Sequence, residues 1–324
     1  MADRTPSAPA RVAVRRTYKL YLGGAFPRSE SGRSYPVTSS RGLHLANAAQ
    51  ASRKDVRDAV VAARKAFPGW SGRTAYNRGQ ILYRVAEMME GRRAQFAGEV
   101  AAAQGVSEAR AQGVVSAAID RWVYYAGWGD KLGQVLGAAN PVSGPYFNHS
   151  QPEPTGVVGV LAPDGSPLLG LVAVLAPVIT AANTAVLVAS ERAPLPAVTL
   201  AEALATSDLP GGVVNVLTGR LGELAPPLAG HADVNALDLA GAGGLAAELE
   251  ERAAGTLKRV VRAGRHDDWS AADPGVARIR PFVETKTVWH PMGVWRLRPG
   301  DPVALAGWSW RPAGWAAVSR NGRW

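Results

Sequence analysis

Gly156-Val157-Val158-Gly159-Val160-Leu161, with the loop Ala162-Pro163-Asp164-Gly165-Ser166-Pro167 and the apolar run Leu168–Thr180 behind it, decides the fold of this chain. A short apolar run broken only by glycine suits a strand buried on both faces, and the longer run after a Pro-bounded loop suits a buried helix. The pattern then repeats: strand Thr184–Ala189, helix Pro196–Thr206, strand Val213–Thr218. Strands alternating with helices imply a parallel sheet joined by right-handed crossovers. A further strand at Ala236–Leu239 leads through Gly241-Ala242-Gly243-Gly244 into a helix over Leu245–Ala254, and Leu257–Arg262 closes the series. Pro163, Asp164, Gly165, Pro167, Pro177 and Asn183 interrupt the apolar stretch 157–189, so it predicts a buried strand-helix-strand and no bilayer span.

Upstream the pattern changes from β to α. Tyr18 to Phe26 alternates like a hairpin strand with a Gly23-Gly24 turn, and Tyr35 to Leu45 reads as one more extended stretch. Ser52 caps a helix with apolar residues at Val56, Ala59, Val60, Ala63 and Ala66, ended by Phe67-Pro68-Gly69-Trp70. Helices follow from about Ala75 to Met89, Arg93 to Ala103 and Ser107 to Gly127. Residues 132–155, rich in Gly, Pro, Asn and Ser, predict a loop-rich hairpin. Downstream, His266 to Gly275 is polar and loop-like, and Arg278 to Trp289 reads as one long strand.

The two ends differ from this body. Residues 1–17 are basic and Pro/Ala-rich without a hydrophobic leader segment, which predicts a disordered arm. Residues 291–324 hold five of the ten tryptophans, so they read either as a small packed appendage or as a docking tail. A length of 324 residues with 47% hydrophobic content can bury a sizeable core. The net charge of +10 is spread along the chain without a nucleic-acid-binding signature, which favours a solvated basic surface or an acidic protein partner and no nucleic acid. His44, His149, His231, His266 and His290 lack metal-ligand spacing, and the absence of cysteine excludes disulfides and thiolate metal sites and fits a cytoplasmic protein.

Several segments taken in order resemble the aldehyde dehydrogenase family. They are Trp70-Ser71-Gly72-Arg73, the stretch Arg121–Lys131, the strand Gly156–Leu161, Ala176-Pro177 with Ala182-Asn183-Thr184, Leu209-Pro210-Gly211-Gly212-Val213-Val214-Asn215-Val216, and Phe282–Val288. The resemblance implies an α/β fold: a Rossmann-like parallel sheet, the cofactor-binding domain, over 18–131 and 156–264, with a β oligomerisation flap from 132–155 and 278–290. It also implies which groups the chemistry would need. The oxyanion-stabilising asparagine falls at Gly165, which has no side-chain donor. The lysine that contacts the adenosine ribose is replaced by Val188, while the ribose-binding glutamate is kept as Glu191. The general-base glutamate falls near Arg262-Ala263-Gly264-Arg265, where there is no acid. The nucleophilic cysteine is missing, and without a thiolate no thiohemiacetal can form. Only fifteen residues separate Arg262 from the strand at Arg278, so the segment that carries the catalytic domain in the family reads as deleted.

Cofactor binding is open at this point. Gly241, Gly243 and Gly244 satisfy a G-x-G-x-x-A pattern whose amides could face a pyrophosphate, with Glu191 as the surviving ribose contact. Backbone packing is the competing role for the same glycines, so the expectation is no cofactor or weak NAD(P). Asp164 beside Ser166, and His266-Asp267-Asp268, read as turn and cap residues, and Trp122, Tyr124, Tyr125 and Trp128 as core or interface aromatics. The flap donor strand is present and its acceptor domain is not, which points to a full-length aldehyde dehydrogenase subunit as partner and resembles the noncatalytic second domain of two-domain family-16 members. An NAD(P)-dependent oxidoreductase acting on aldehydes and a stand-alone nucleotide-binding module are the alternatives.

Overall fold

A computed structural model describes residues 16–262, 264, 269–270 and 273–292. The expectations for the arm at 1–15, for His266-Asp267-Asp268 and for the tryptophan-rich tail at 293–324 lie outside the described residues.

The chain opens with a small sheet, β1 (Thr17–Tyr18), β2 (Ser34–Thr38) and β3 (His44–Ala49), in the order β1-β3-β2. The extended stretch read over Tyr35–Leu45 is in fact a hairpin. Its turn is closed by the Ser39 N–H donating to the Leu43 carbonyl, with Gly42 at φ +78°. Gly23 and Gly24, both at positive φ, make the turn expected there, and Leu22 pairs with Ala25 across it.

Four helices follow: α1 (Arg53–Ser71), α2 (Ala75–Glu90), α3 (Arg93–Gln104) and α4 (Glu108–Ala126). Ser52 and Asp55 form a reciprocal capping box that satisfies the first orphan donors of α1. That helix runs past the Phe67–Trp70 stop read from the sequence. Trp70 is fully buried and its indole N–H donates to the Ile179 carbonyl at 3.3 Å, so tertiary packing holds the last turn against the missing Pro68 donor.

Next come α5 (Leu132–Leu136), β4 (Ala138–Asn140) and β5 (Tyr146–Pro154). The parallel series is β6 (Val157–Leu161), α6 (Leu169–Thr180), β7 (Thr184–Val188), α7 (Leu195–Ala205), β8 (Val214–Leu217), α8 (Leu221–Ala229), β9 (Ala236–Asp238), α9 (Ala246–Ala254) and β10 (Arg259–Val261). The sheet order is β10-β9-β6-β7-β8, all parallel. One core cluster packs α2, α3, α4, α6 and α7 against it, and a second joins α1, α8 and α9.

The sequence reading does not include α8, which holds Pro226 and Pro227 inside its span. Leu224, Ala225, Leu228 and Ala229 bury its inner face, and that burial outweighs two missing donors. The terminal strand also differs from the reading. β11 spans Val283–Pro291, and the preceding Arg280–Phe282 is a 3-10 turn containing Pro281. β11 pairs antiparallel with β5 over nine residues, in a separate sheet of order β11-β5-β4.

Candidate functional site: the carboxyl ends of the parallel strands

An open parallel sheet binds ligands outside the carboxyl ends of its strands, where the strand order reverses. Here that point lies between β6 and β9. The Gly241 N–H donates to the Leu161 carbonyl at 2.9 Å, and the Ala242 N–H to the Leu239 carbonyl. A Cβ on Gly241 would stand 2.2 Å from the Ala162 carbonyl oxygen, so glycine is required there for the β9 loop to lie against the β6 loop. Gly243, at φ +52°, and Gly244 have open space around them, in a 3-10 turn before α9. Two amides of this glycine-rich turn are therefore spent on the protein's own carbonyls.

At the carboxyl end of β9, Asp238 is fully buried. Its Oδ1 accepts from the Ala240 N–H, and its Oδ2 accepts from Arg278 at 3.1 Å. A buried carboxylate requires a charged partner, and Arg278 is brought to it by the short connection between β10 and β11. The same connection is held at two further points. Arg121 of α4 donates to the Trp269 carbonyl at 2.9 Å, and the Tyr124 hydroxyl donates to Asp273 at 2.5 Å. Arg278 also lies over the Trp269 ring, 5.3 Å from its centroid. Described parts of the connection thus pack over the end of β9 where a ligand crevice would open.

Beside it is a polar cleft of about 850 Å³ whose lining includes Asp164, Gly165, Ser166, Glu191, Arg220 and Trp269. The Glu191 carboxylate accepts from Arg220 at 2.7 Å and from the Leu221 N–H at 2.9 Å, so it caps α8 with one oxygen and binds a guanidinium with the other. Burial pushes this carboxyl up, but the hydrogen bonds from Arg220 and Leu221 outweigh it and hold it below the usual glutamate value. Asp164 accepts from the Ser190 hydroxyl at 2.6 Å, and the Ser166 hydroxyl accepts from the Gly170 N–H. Gly165 presents only backbone, its carbonyl accepting from Gln104. Val188 is buried in the core. The structure thus places Glu191 and the 163–167 loop in one cleft and assigns Gly241 to packing. Arg220, Asp238 and Arg278 were not singled out in the sequence, because their roles depend on partners 29 and 40 residues away.

The aldehyde dehydrogenase family model matches residues 27–263. The chain belongs to the aldehyde dehydrogenase family. It is 34% identical over 248 residues to an aldehyde dehydrogenase of Alternaria alternata, an alignment that covers 75% of this chain and 49% of that one. It is 32% identical over 262 residues to retinal dehydrogenase 2 of Gallus gallus, covering 79% and 50%. Among solved structures, aldehyde dehydrogenase from Bacillus cereus in its NAD+ complex superposes with a TM-score of 0.71 at 27% identity, over 76% of this chain and 50% of that chain. The chain spans about half the length of the relatives it matches.

The described residues do not fit NAD well. Both Glu191 oxygens are engaged by α8 and Arg220, Gly241 and Ala242 have spent their amides, and the Arg278–Asp238 pair covers the end of β9. Among the described residues there is no cluster of three or more metal-ligating side chains, and no helix is long and apolar enough to cross a membrane.

Proposed function

We propose that this aldehyde dehydrogenase family chain is a noncatalytic subunit that pairs with a cysteine-bearing aldehyde dehydrogenase through the outer edge of β11. The chemistry argues first. A thiolate nucleophile, a side-chain oxyanion donor and a general base act as a unit. This sequence has no cysteine, has Gly165 at the oxyanion position, and has no acid between Val260 and Gly264.

The observation that carries the partner reading is the direction of the β11 backbone. Pro152 and Pro154 of β5 stand opposite Thr285 and Val283, and proline has no donor to give. These must be non-hydrogen-bonded pairs, so the N–H and C=O of Val283, Thr285, Thr287 and Trp289 point away from β5. The Arg259 guanidinium donating to the outward Val283 carbonyl, and the Met292 N–H reaching the Pro145 carbonyl on the β5 side, agree with that alternation. β11 is therefore an edge strand whose outer ladder, taken up at Val283 by Arg259 and Arg280, is unpartnered from Thr285 to Trp289 among the described residues, and such an edge is a template for strand addition. The exposed aromatics Tyr146, Phe147 and Trp289 lie at the same end of this sheet.

The test mixes the purified chain with a full-length aldehyde dehydrogenase of its host. Co-elution, with no aldehyde-dependent NADH formed by the chain alone, supports the reading. Saturable NADH formation by the chain alone, or failure to co-elute, rejects it.

A further inference from the structure

Between α2, the turn before α5 and the outer part of β5 lies a second cleft, of about 800 Å³, separate from the polar cleft at Glu191 and bounded at one point by Val283 of β11. Its lining includes Arg78, Asp130, Leu132, Pro152, Pro154 and Ala182. Arg78 stands out among the described arginines. It donates to the Arg73 carbonyl, and among the described residues its Nε is buried without a hydrogen-bond partner and it forms no ion pair. Burial pushes its guanidinium down from the ordinary arginine value. The two carboxylates near it do not compensate. Glu153 is held by Lys286 at 2.8 Å, and Asp130 makes no ion pair among the described residues.

A guanidinium offers five donors in a planar fork that matches a carboxylate, and a half-buried one with no carboxylate partner among the described residues is suited to receive one. The cleft also constrains the form of the arrival. β4 pairs β5 only at Asn148–Ser150, so Gln151–Pro154 has no strand on the cleft side. Pro152 and Pro154, whose missing donors fall on that side, leave carbonyls and no N–H there, which prevents a strand from adding at this edge.

We propose that Arg78 and this cleft form a binding site for one acidic side chain of a partner polypeptide, inserted as a side chain and not as a β-strand. The site is a property of this chain alone and does not depend on which protein pairs with β11. A partner bearing an exposed Asp or Glu also suits a chain of net charge +10.

The experiment titrates the full chain with acetyl-aspartate amide at low salt and follows the Arg78 Nε–H resonance, with acetyl-asparagine amide as the uncharged control. We expect saturable binding of the aspartate compound, about tenfold weaker with the asparagine compound and about tenfold weaker in Arg78→Gln, with Arg78→Lys between them. Equal responses to the two compounds, unchanged binding in Arg78→Gln, or no saturation would overturn the proposal. Asp130→Asn is the second arm. If this substitution alone displaces the Arg78 resonance as far as the aspartate compound does, Arg78 pairs with Asp130 internally and the site is not a ligand site. An undisturbed Arg78 resonance in that variant, with tighter binding of the aspartate compound, supports it.

Discussion

The two sheets of this molecule are built to opposite specifications. Every residue of β6, β7 and β8 is buried, and helices cover both faces. β11, by contrast, leaves Glu284, Thr285, Lys286, Thr287, Trp289, His290 and Pro291 exposed, with an outer hydrogen-bond ladder unpartnered from Thr285 to Trp289 among the described residues. The difference teaches that this chain completes its own core and does not complete its own edge. A finished core needs no partner to fold, whereas an open strand edge is a liability unless something pairs with it.

The largest effect expected within the core side of this comparison is at Asp238. Replacing it with Ala leaves Arg278 beside an apolar sheet end without its carboxylate, and the loss of one member of a buried pair costs about 3–5 kcal/mol. Chemical denaturation checks this. A loss below about 1 kcal/mol would mean that the connection over β9 is loosely held and that the crevice is available.

Glu99 provides the next test, on α3 against α7. Burial raises its carboxyl to about 7, only partly offset by hydrogen bonds from Thr199 and Gln95. A carboxyl raised in the folded state binds its proton more tightly there than in the unfolded chain. Stability is therefore full below the unfolded value and falls as the pH rises towards about 7. Glu99→Gln should match the parent near pH 4 and exceed it by about 1–3 kcal/mol at pH 8. A pH-independent difference between the two would refute the assignment.

How much of this was legible in the sequence differs between the two sheets for a physical reason. The core strands announce themselves as nearly continuous apolar runs, and Ser52 marks the start of α1. The lack of cysteine is equally plain as a statement of composition, whereas the place of Gly165 at an oxyanion position is only what the resemblance implies. What escaped depends on contacts distant in sequence. The Trp70 anchor carries α1 through Pro68, the buried face of α8 overrides its two prolines, and Glu191 becomes a helix cap because Arg220 and Leu221 stand beside it. The outward face of β11 could have been inferred from Pro152 and Pro154, but only once the register opposite Thr285 and Val283 was known.

On the edge side, Thr285→Pro removes an N–H that points away from β5 and so spares the ladder within the sheet. Complex formation with an aldehyde dehydrogenase should weaken about tenfold or more, while the thermal midpoint of the isolated chain stays unchanged within a few degrees. Undiminished binding would place the interface elsewhere.

The smallest effect is expected at Glu191. Its carboxyl lies below the usual value, so its contribution is present above the unfolded value and lost as the pH falls through the folded one. Glu191→Gln should cost about 0.5–1 kcal/mol at neutral pH through the weakened cap and ion pair, with the difference from the parent vanishing in acid. If the substitution instead weakened NAD binding measured by calorimetry, Glu191 would be a ribose ligand and not a cap.

The most direct measurement of the central claim is amide hydrogen exchange of the chain alone and in complex with a full-length aldehyde dehydrogenase. The outward amides of Thr285, Thr287 and Trp289 should exchange quickly in the free chain and become protected in the complex, while the inward amides of Lys286 and Val288 change little. A stable complex in which the outward amides exchange as fast as before would contradict the account.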